Sequence, residues 1–431
     1  MIWAVMDICF SFLERKNMGK DRTILHIDMN NFYASVECSL NPDLRPFPVA
    51  VCGSVDERHG IVLAKNYKAK ACGVKTGEAV WEAMQKCKDL VIASPHYDEY
   101  MKYSKYAREI YSRYTDLIEP FGMDEVWADM TGSVTLLGDG EKIANEIRDT
   151  IKNELGLTVS VGVSFNKIFA KLGSDMKKPD ATTVISKENF REKIFGLPAS
   201  DLLGVGRATE KKLSMIGVHT IGDLARFPED LLHTKFGKCG TMLWIFANGL
   251  DATPVTVRNF EALDKSAGHG MTALQDLEDN AEVWKFILEL SQEIGHRLYI
   301  YNKKAMGVAI YVRDNTLFTE QWQMPFTTPT QSASVIAKAA YLLFEKKYQW
   351  RKPIRSLTVR AIELVSADTP IQLSFTDDSE SIQKRECMDR AIDDIRRRFG
   401  SHALRNAVLL DNPKFPNHDN PKIIMPNGLA M

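Results

Sequence analysis

The chain reads as an α+β protein of several domains, and three stretches carry that reading. An apolar strand, Ile24-Leu25-His26-Ile27, runs into a helix that opens at Asn31, the first of several strand-to-helix alternations. Between residues 180 and 250 the pattern changes to short helices punctuated by glycines. From residue 266 to 363 a β-α-β-β-α-β order is legible.

With 431 residues, 45% hydrophobic and 26% charged, the chain has an ordinary globular composition and enough length for several cores. A net charge of −1 neither demands nor excludes a nucleic-acid partner, because phosphate binding depends on a local basic face. The seven cysteines are scattered, with no C-x-x-C pair and no histidine at zinc spacing, which reads as reduced thiols in a cytoplasmic protein. Met1 to Leu13 is apolar but short, broken by Asp7, and lacks a basic start and a small-residue cleavage site. Neither a signal peptide nor a membrane span is expected. Residues 1–21 read as an extension that the fold does not need, with Met18 a conventional start just before the first strand.

After the first helix, Asn41-Pro42 closes the segment, and Pro48 to Cys52 and Ile61 to Ala64 read as paired buried strands. A short helix from Asn66 ends at Gly73, and its Tyr67 and Lys70, at i and i+3, share one face. That face suits either solvent or a triphosphate. A helical piece from Thr76 to Lys88, a strand from Leu90 to Ala93 and a long helix from about His96 to Ile118 follow. An acidic, apolar-flanked turn, Gly122-Met123-Asp124-Glu125-Val126-Trp127-Ala128-Asp129, comes next. Then come a helix over Lys142–Leu155, a strand over Thr158–Val163 and a helix capped by Asn166 that ends before Pro179. Lys167 and Lys171 lie at i and i+4 on it, so one of them can point at whatever the acidic residues hold.

The chemistry begins with Asp28, delivered by a strand end into a cleft. One such aspartate also serves as a cap or turn residue. Together with Asp124 and Glu125, however, it makes a candidate magnesium cluster. Two hard cations about 3.5–4 Å apart want carboxylate and carbonyl oxygens, and clamp the attacking and leaving oxygens of an in-line displacement. Leu202-Leu203-Gly204-Val205-Gly206-Arg207 has the helix-hairpin-helix pattern, in which glycines let backbone N–H groups approach a phosphate; an ordinary tight helical turn looks alike. In the strand Ser356–Glu363, Leu357, Val359 and Ala361 face a core, while Ser356, Thr358 and Arg360 are free to lie on a partner. A charged helix spans about Asp378 to Phe399.

The order of these motifs, over roughly residues 22 to 365, resembles the Y-family translesion DNA polymerases of the bacterial polymerase IV or UmuC-like branch. The resemblance implies a right-hand polymerase: a ferredoxin-like palm (22–41 and 94–180), small fingers (42–93), a helical thumb (181–250), a linker (251–264), a little finger (265–366) and a tail (367–431). It implies that Asp28, Asp124 and Glu125 are catalytic and, with the Met29 carbonyl, hold two Mg2+ ions. Tyr33 would be the steric gate against a ribose 2′-hydroxyl, with Phe32 lining the pocket. Tyr67, Lys70 and Lys171 would bind the triphosphate, and Gly204, Gly206, Arg207 and Arg360 the DNA. Gln372-Leu373-Ser374-Phe375 is similar to a sliding-clamp peptide that lacks its second leucine. Three other positions depart from the usual pattern: Asn30 for a second aspartate, Lys70 for arginine, and Ala64 for a hydroxyl-bearing residue.

The implied activity is template-directed, low-fidelity addition of dNTPs to a primer 3′-hydroxyl in translesion synthesis, by a monomer without proofreading. A non-catalytic polymerase-shaped DNA-binding or regulatory protein would lose metal ligands, and all three carboxylates are present. A palm-type nucleotidyl cyclase would lack residues 200–365.

Overall fold

The computed structural model describes residues 22–56, 58, 60–256, 265–370, 379–400, 403–410 and 413–416, with the side chains of 379–383 left aside. The N-terminal extension, most of the linker and the clamp-like Gln372, Leu373 and Phe375 lie outside the described residues. The chain divides into two compact units.

In the first unit, β1 (Ile24–Met29) leads into α1 (Phe32–Leu40). Asn31 turns the corner at φ 51, a left-handed conformation that asparagine tolerates well. The fingers follow: β2 (Val49–Cys52), β3 (Val62–Lys65), α2 (Tyr67–Ala71), α3 (Val80–Lys86) and β4 (Val91–Ala93). Their sheet has the order β3-β2-β4, with β2 antiparallel to β3. Asn66 caps α2 by accepting from the Ala69 N–H and also accepts from Val49 N–H, which pins the helix to the sheet.

The chain returns through α4 (Tyr97–Tyr111), β5 (Ile118–Pro120), β6 (Glu125–Asp129), α5 (Val134–Leu137), α6 (Gly140–Leu155), β7 (Val159–Ser164), α7 (Lys167–Met176) and β8 (Thr182–Ile185). The expected helix to Ile118 stops at Tyr111. Thr115 then folds its hydroxyl onto the Asp129 carbonyl, and Ile118 pairs with Ala128 as a strand, because the sheet claims that apolar residue. Likewise Glu125 is not in a turn but opens β6.

The palm sheet has the order β5-β6-β1-β7-β8. With α4 and α6, its first four strands make a ferredoxin-like βαββαβ unit. Leu25, Ile27 and Met29 point from β1 into the core shared with α4 and α6, so the period of two sends Ile24, His26 and Asp28 to the other face, toward α7. The approach of α7 is close: a Cβ on Gly162 would stand 1.9 Å from the Ala170 carbonyl oxygen. The thumb follows as α8 (Phe190–Ile194), α9 (Arg207–Ser214), α10 (Ile221–Arg226), α11 (Glu229–Phe236) and α12 (Lys238–Ala247), around a core that includes Leu202, Val205, Leu213 and Leu243.

The second unit has the expected β-α-β-β-α-β order: β9 (Ser266–Leu277), α13 (Asn280–Ile300), β10 (Lys303–Asp314), β11 (Thr319–Thr330), α14 (Ala333–Lys347) and β12 (Ile354–Ser366). The strands pair antiparallel as β11-β10-β12-β9. Both helices pack on one face, where Leu357, Val359 and Ala361 are buried. A charged helix, α15 (Ser379–Phe399), follows. No helix among the described residues is long and apolar enough to cross a membrane.

Candidate active site

Strand pairing builds the site. Asp28 lies directly opposite Glu125 in the β1–β6 register and opposite Ser160 in the β1–β7 register. Directly opposed residues share a face, so both carboxylates look toward α7. Met29 N–H donates to the Asp124 carbonyl at 3.0 Å, which ties the end of β1 to the residue preceding β6.

Two ammonium groups meet this negative charge. Lys178 Nζ stands 2.8 Å from Asp28 Oδ2, and Lys171 Nζ stands 2.8 Å from Glu125 Oε2 and 3.6 Å from Asp28 Oδ2. Asp175 pairs with both lysines, at 3.3 and 3.0 Å. Of the two lysines in the sequence pattern, only Lys171 turns inward; Lys167 pairs with Glu119 at 2.6 Å and covers Trp127. The sequence pattern alone does not single out Lys178. The legible signal was spacing: Lys171, Asp175 and Lys178, at i, i+4 and i+7, stack along one side of α7 and its continuation.

The electrostatics describe a site short of positive charge. Burial raises Asp28 well above the ordinary carboxylate range even with Lys178 on it, and the Glu125 charge adds to the shift. Burial, then the neighbouring Glu125, pushes Asp124 up to about 6. Burial also works against ionised Glu125, but His26 and Lys171 outweigh it and hold that carboxyl low. Among the described residues no three His, Cys, Asp or Glu side chains already form a metal cage. The donor chemistry nevertheless fits a hard divalent cation: oxygen donors only, partly buried, with two carboxyls whose ionised forms are under-compensated.

The residues expected on the nucleotide side sit around this end. Asn30 is buried and bonded through both ends of its amide: the nitrogen donates to Thr158 Oγ1 at 3.2 Å, and the oxygen accepts from Ser160 at 2.9 Å and from the Tyr67 hydroxyl at 3.4 Å. A neutral amide here links palm to fingers and spares the site another charge. Lys70 is exposed, its Nζ 5.6 Å from the Tyr67 ring centroid. Ala64 lies on β3. Tyr33 is half-buried, and its hydroxyl donates to Met123 Sδ at 3.4 Å. Phe32 instead turns into the palm core, 3% exposed.

In the thumb, Gly204 (φ 93), Gly206 and Arg207 are exposed while Leu202 and Val205 anchor the hairpin beneath. Gly206 is the N-cap of α9 and has no side chain to occupy the helix's first N–H groups. In the second unit, Arg360 projects from the open face of β12, its guanidinium 5.2 Å from the Tyr311 ring.

Comparison with known proteins gives a consistent picture. Residues 27–175 match the impB/mucB/samB family, residues 264–375 that family's C-terminal domain, and residues 200–251 the thumb domain of DNA polymerase-iota. The DNA polymerase IV of Acetivibrio thermocellus is 52% identical over 391 residues, which cover 91% of this chain and 98% of the relative. DNA polymerase IV 2 of Bacillus subtilis is 36% identical over 404 residues, 91% of this chain and 96% of the relative. In fold, the chain is similar to a solved Y-family DNA polymerase chimera: TM-score 0.70, 23% identity, covering 80% of this chain and 99% of that one.

Proposed function

This chain belongs to the impB/mucB/samB family of Y-family DNA polymerases, and from that premise we propose that the carboxylate end of β1 is where a primer 3′-hydroxyl meets the α-phosphate of an incoming dNTP. The protein is a DNA-directed DNA polymerase of the translesion class, with primer–template DNA and dNTPs as substrates and divalent metal ions as cofactors. The observation that carries the placement is the register: Asp28 opposite Glu125, with Asp124 bonded through its backbone to Met29.

Asp28, Asp124 and Glu125, with the Met29 carbonyl, are the groups that would hold two Mg2+ ions. When bound, such ions polarise the α-phosphate and make the primer hydroxyl a better nucleophile. Lys178 and Lys171 occupy the carboxylates in the absence of other cations. With metal held by those carboxylates, Lys171 and Lys178 would be available to pair with the triphosphate, beside Tyr67 and Lys70. The Tyr33 ring fills the space of a ribose 2′-hydroxyl. The backbone N–H groups at Gly204, Gly206 and Arg207 suit a duplex phosphate, and Arg360 supplies a further cation for the backbone. The small three-stranded fingers leave the nascent pair loosely enclosed, which accommodates damaged templates at low fidelity. Gln372, Leu373 and Phe375 tether the enzyme to a sliding clamp, and the chain works as a cytoplasmic monomer.

Primer extension with Mg2+ and dNTPs, on an undamaged template and across a panel of defined lesions, tests the reading. Extension on both is expected. A protein that binds primer–template yet never extends it would be a regulatory relative instead.

A further inference from the structure

We propose that His26 is a positioning residue for Glu125, holding that carboxylate through an Nε2–H while Ser174 on α7 holds the imidazole from behind. The inference rests on the reading of Glu125 as a metal-binding carboxylate.

His26 is completely buried on β1, two residues before Asp28 and on the same face. Its ring is enclosed by Trp127, with centroids 5.4 Å apart, and by Phe121 at 6.4 Å. Nδ1 lies 2.9 Å from Ser174 Oγ. Nε2 makes no aligned hydrogen bond, yet it faces Glu125 Oε2 at 3.3 Å. A buried polar nitrogen left unsatisfied is costly, and the facing carboxylate oxygen is the acceptor that would satisfy it. A neutral imidazole has one N–H to give. The Ser174 hydroxyl donates to the Lys171 carbonyl at 2.7 Å and has to turn from it to donate to Nδ1; what favours that turn is that a bare Nε2 lone pair would otherwise face the Glu125 carboxylate oxygen at 3.3 Å. The imidazole proton then resides on Nε2 and points at Glu125. Lys171 holds the same oxygen at 2.8 Å. When that ammonium leaves for a phosphate, His26 is what keeps the carboxylate from rotating. An outer partner of this kind orients a metal-binding group, and its loss typically weakens metal affinity or activity by about 10–100-fold.

The test uses the full chain with a dideoxy-terminated primer, template and dNTP, so that no turnover occurs, and measures Mn2+ affinity by electron paramagnetic resonance for wild type, His26→Gln, His26→Phe, Ser174→Ala and Glu125→Ala. Imidazole 15N shifts of the metal-free protein report the tautomer, and thermal midpoints report folding. The expected result is an Nε2–H tautomer in the wild type, Mn2+ binding weakened roughly tenfold or more in His26→Phe, and recovery in His26→Gln, whose amide again offers a donor. Ser174→Ala should shift the proton toward Nδ1 and weaken Mn2+ binding. An Nδ1–H tautomer in the wild type overturns the proposal even if the His26 variants do not fold. So does unchanged Mn2+ affinity in a folded His26→Phe while Glu125→Ala loses it. Unchanged affinity in Glu125→Ala instead removes the reading of Glu125 itself.

Discussion

Tyr33 lies flat against Tyr100, ring centroids 4.2 Å apart and planes 10° from parallel. Tyr97 closes edge-on at 5.9 Å. The Tyr100 hydroxyl donates to buried Glu37, which also accepts from the His96 backbone N–H. The ring proposed to exclude a 2′-hydroxyl therefore has a back wall that is itself fixed by a carboxylate. Tyr33→Ala should raise ribonucleotide incorporation about tenfold or more while dNTP incorporation persists, since the discriminating contact is steric. Competition between rNTP and dNTP at one template position measures it. Unaltered discrimination in an active variant would place the gate elsewhere.

The carboxylates make a second prediction. Asp124→Ala or Glu125→Ala should abolish Mg2+-dependent extension while primer–template binding, measured by fluorescence anisotropy, stays close to wild type, because the duplex contacts are proposed for other residues. Near-normal extension by either variant would remove it from the metal-binding set.

The shifted carboxyls set a pH dependence. Asp28 and Asp124 are raised in the folded protein, Asp124 to about 6 from 3.8. Between the ordinary and the raised values the folded state binds more protons than the unfolded state, so their contribution to stability falls as pH rises through that window. His26 acts oppositely: burial lowers it to about 4 from 6.5, so its contribution rises with pH between those values. A divalent cation binds only the ionised carboxyls and must displace their protons. The thermal midpoint should therefore gain more from Mg2+ at pH 8 than at pH 5.5. Equal gains at the two pH values would show that the cation does not bind Asp28 and Asp124.

How much of this could be read in the sequence depended on the range of the contacts involved. The alternation in β12 was legible because a core lies on one side only, and Leu357, Val359 and Ala361 keep the period of two. Asp28, Asp124 and Glu125 stood out because carboxylates beside apolar strands are conspicuous. Glu125-Val-Trp-Ala-Asp read as part of a turn because a five-residue strand with acidic ends has little local signature; pairing with β1 makes it a strand. Thr182–Ile185 likewise becomes a strand only by parallel pairing with β7. His26 and Lys178 are inconspicuous in the sequence for a related reason. One looks like filler in an apolar run and the other like a lysine after a helix, and each acquires a role only when β6 and α7 close over β1.

The clamp-like Gln372, Leu373 and Phe375 are proposed to supply a contact independent of the active site. A short peptide binds with modest affinity, and tethering raises the local concentration of polymerase at the primer. Leu373→Ala combined with Phe375→Ala should lower clamp-stimulated synthesis and leave synthesis on short, clamp-free primer–templates unchanged. Equal clamp stimulation of both proteins would return the tetrapeptide to the role of a linker.

The last prediction concerns the close crossing of β7 and α7. A Cβ on Gly162 would stand 1.9 Å from the Ala170 carbonyl oxygen and 2.5 Å from the Ser174 nitrogen, and one on Gly173 would stand 3.2 Å from the Gly162 Cα. Both obstacles to Gly162 are backbone atoms, so the added methyl cannot be absorbed by a side-chain rotation; the helix itself has to move. That helix carries Lys171 to the carboxylates and Ser174 to His26. Gly162→Ala should therefore cost about 1–3 kcal/mol of stability, the usual range for overpacking, and slow extension as well, because the ammonium and the serine retreat with the backbone. Gly196→Ala is the matched comparison: nothing lies within 4 Å of its added Cβ, and its stability should stay within about 0.5 kcal/mol of wild type. Denaturant unfolding and single-turnover extension measure the two effects together. A Gly162→Ala protein that unfolds and extends like the Gly196→Ala control would mean that α7 does not need glycine to reach the site.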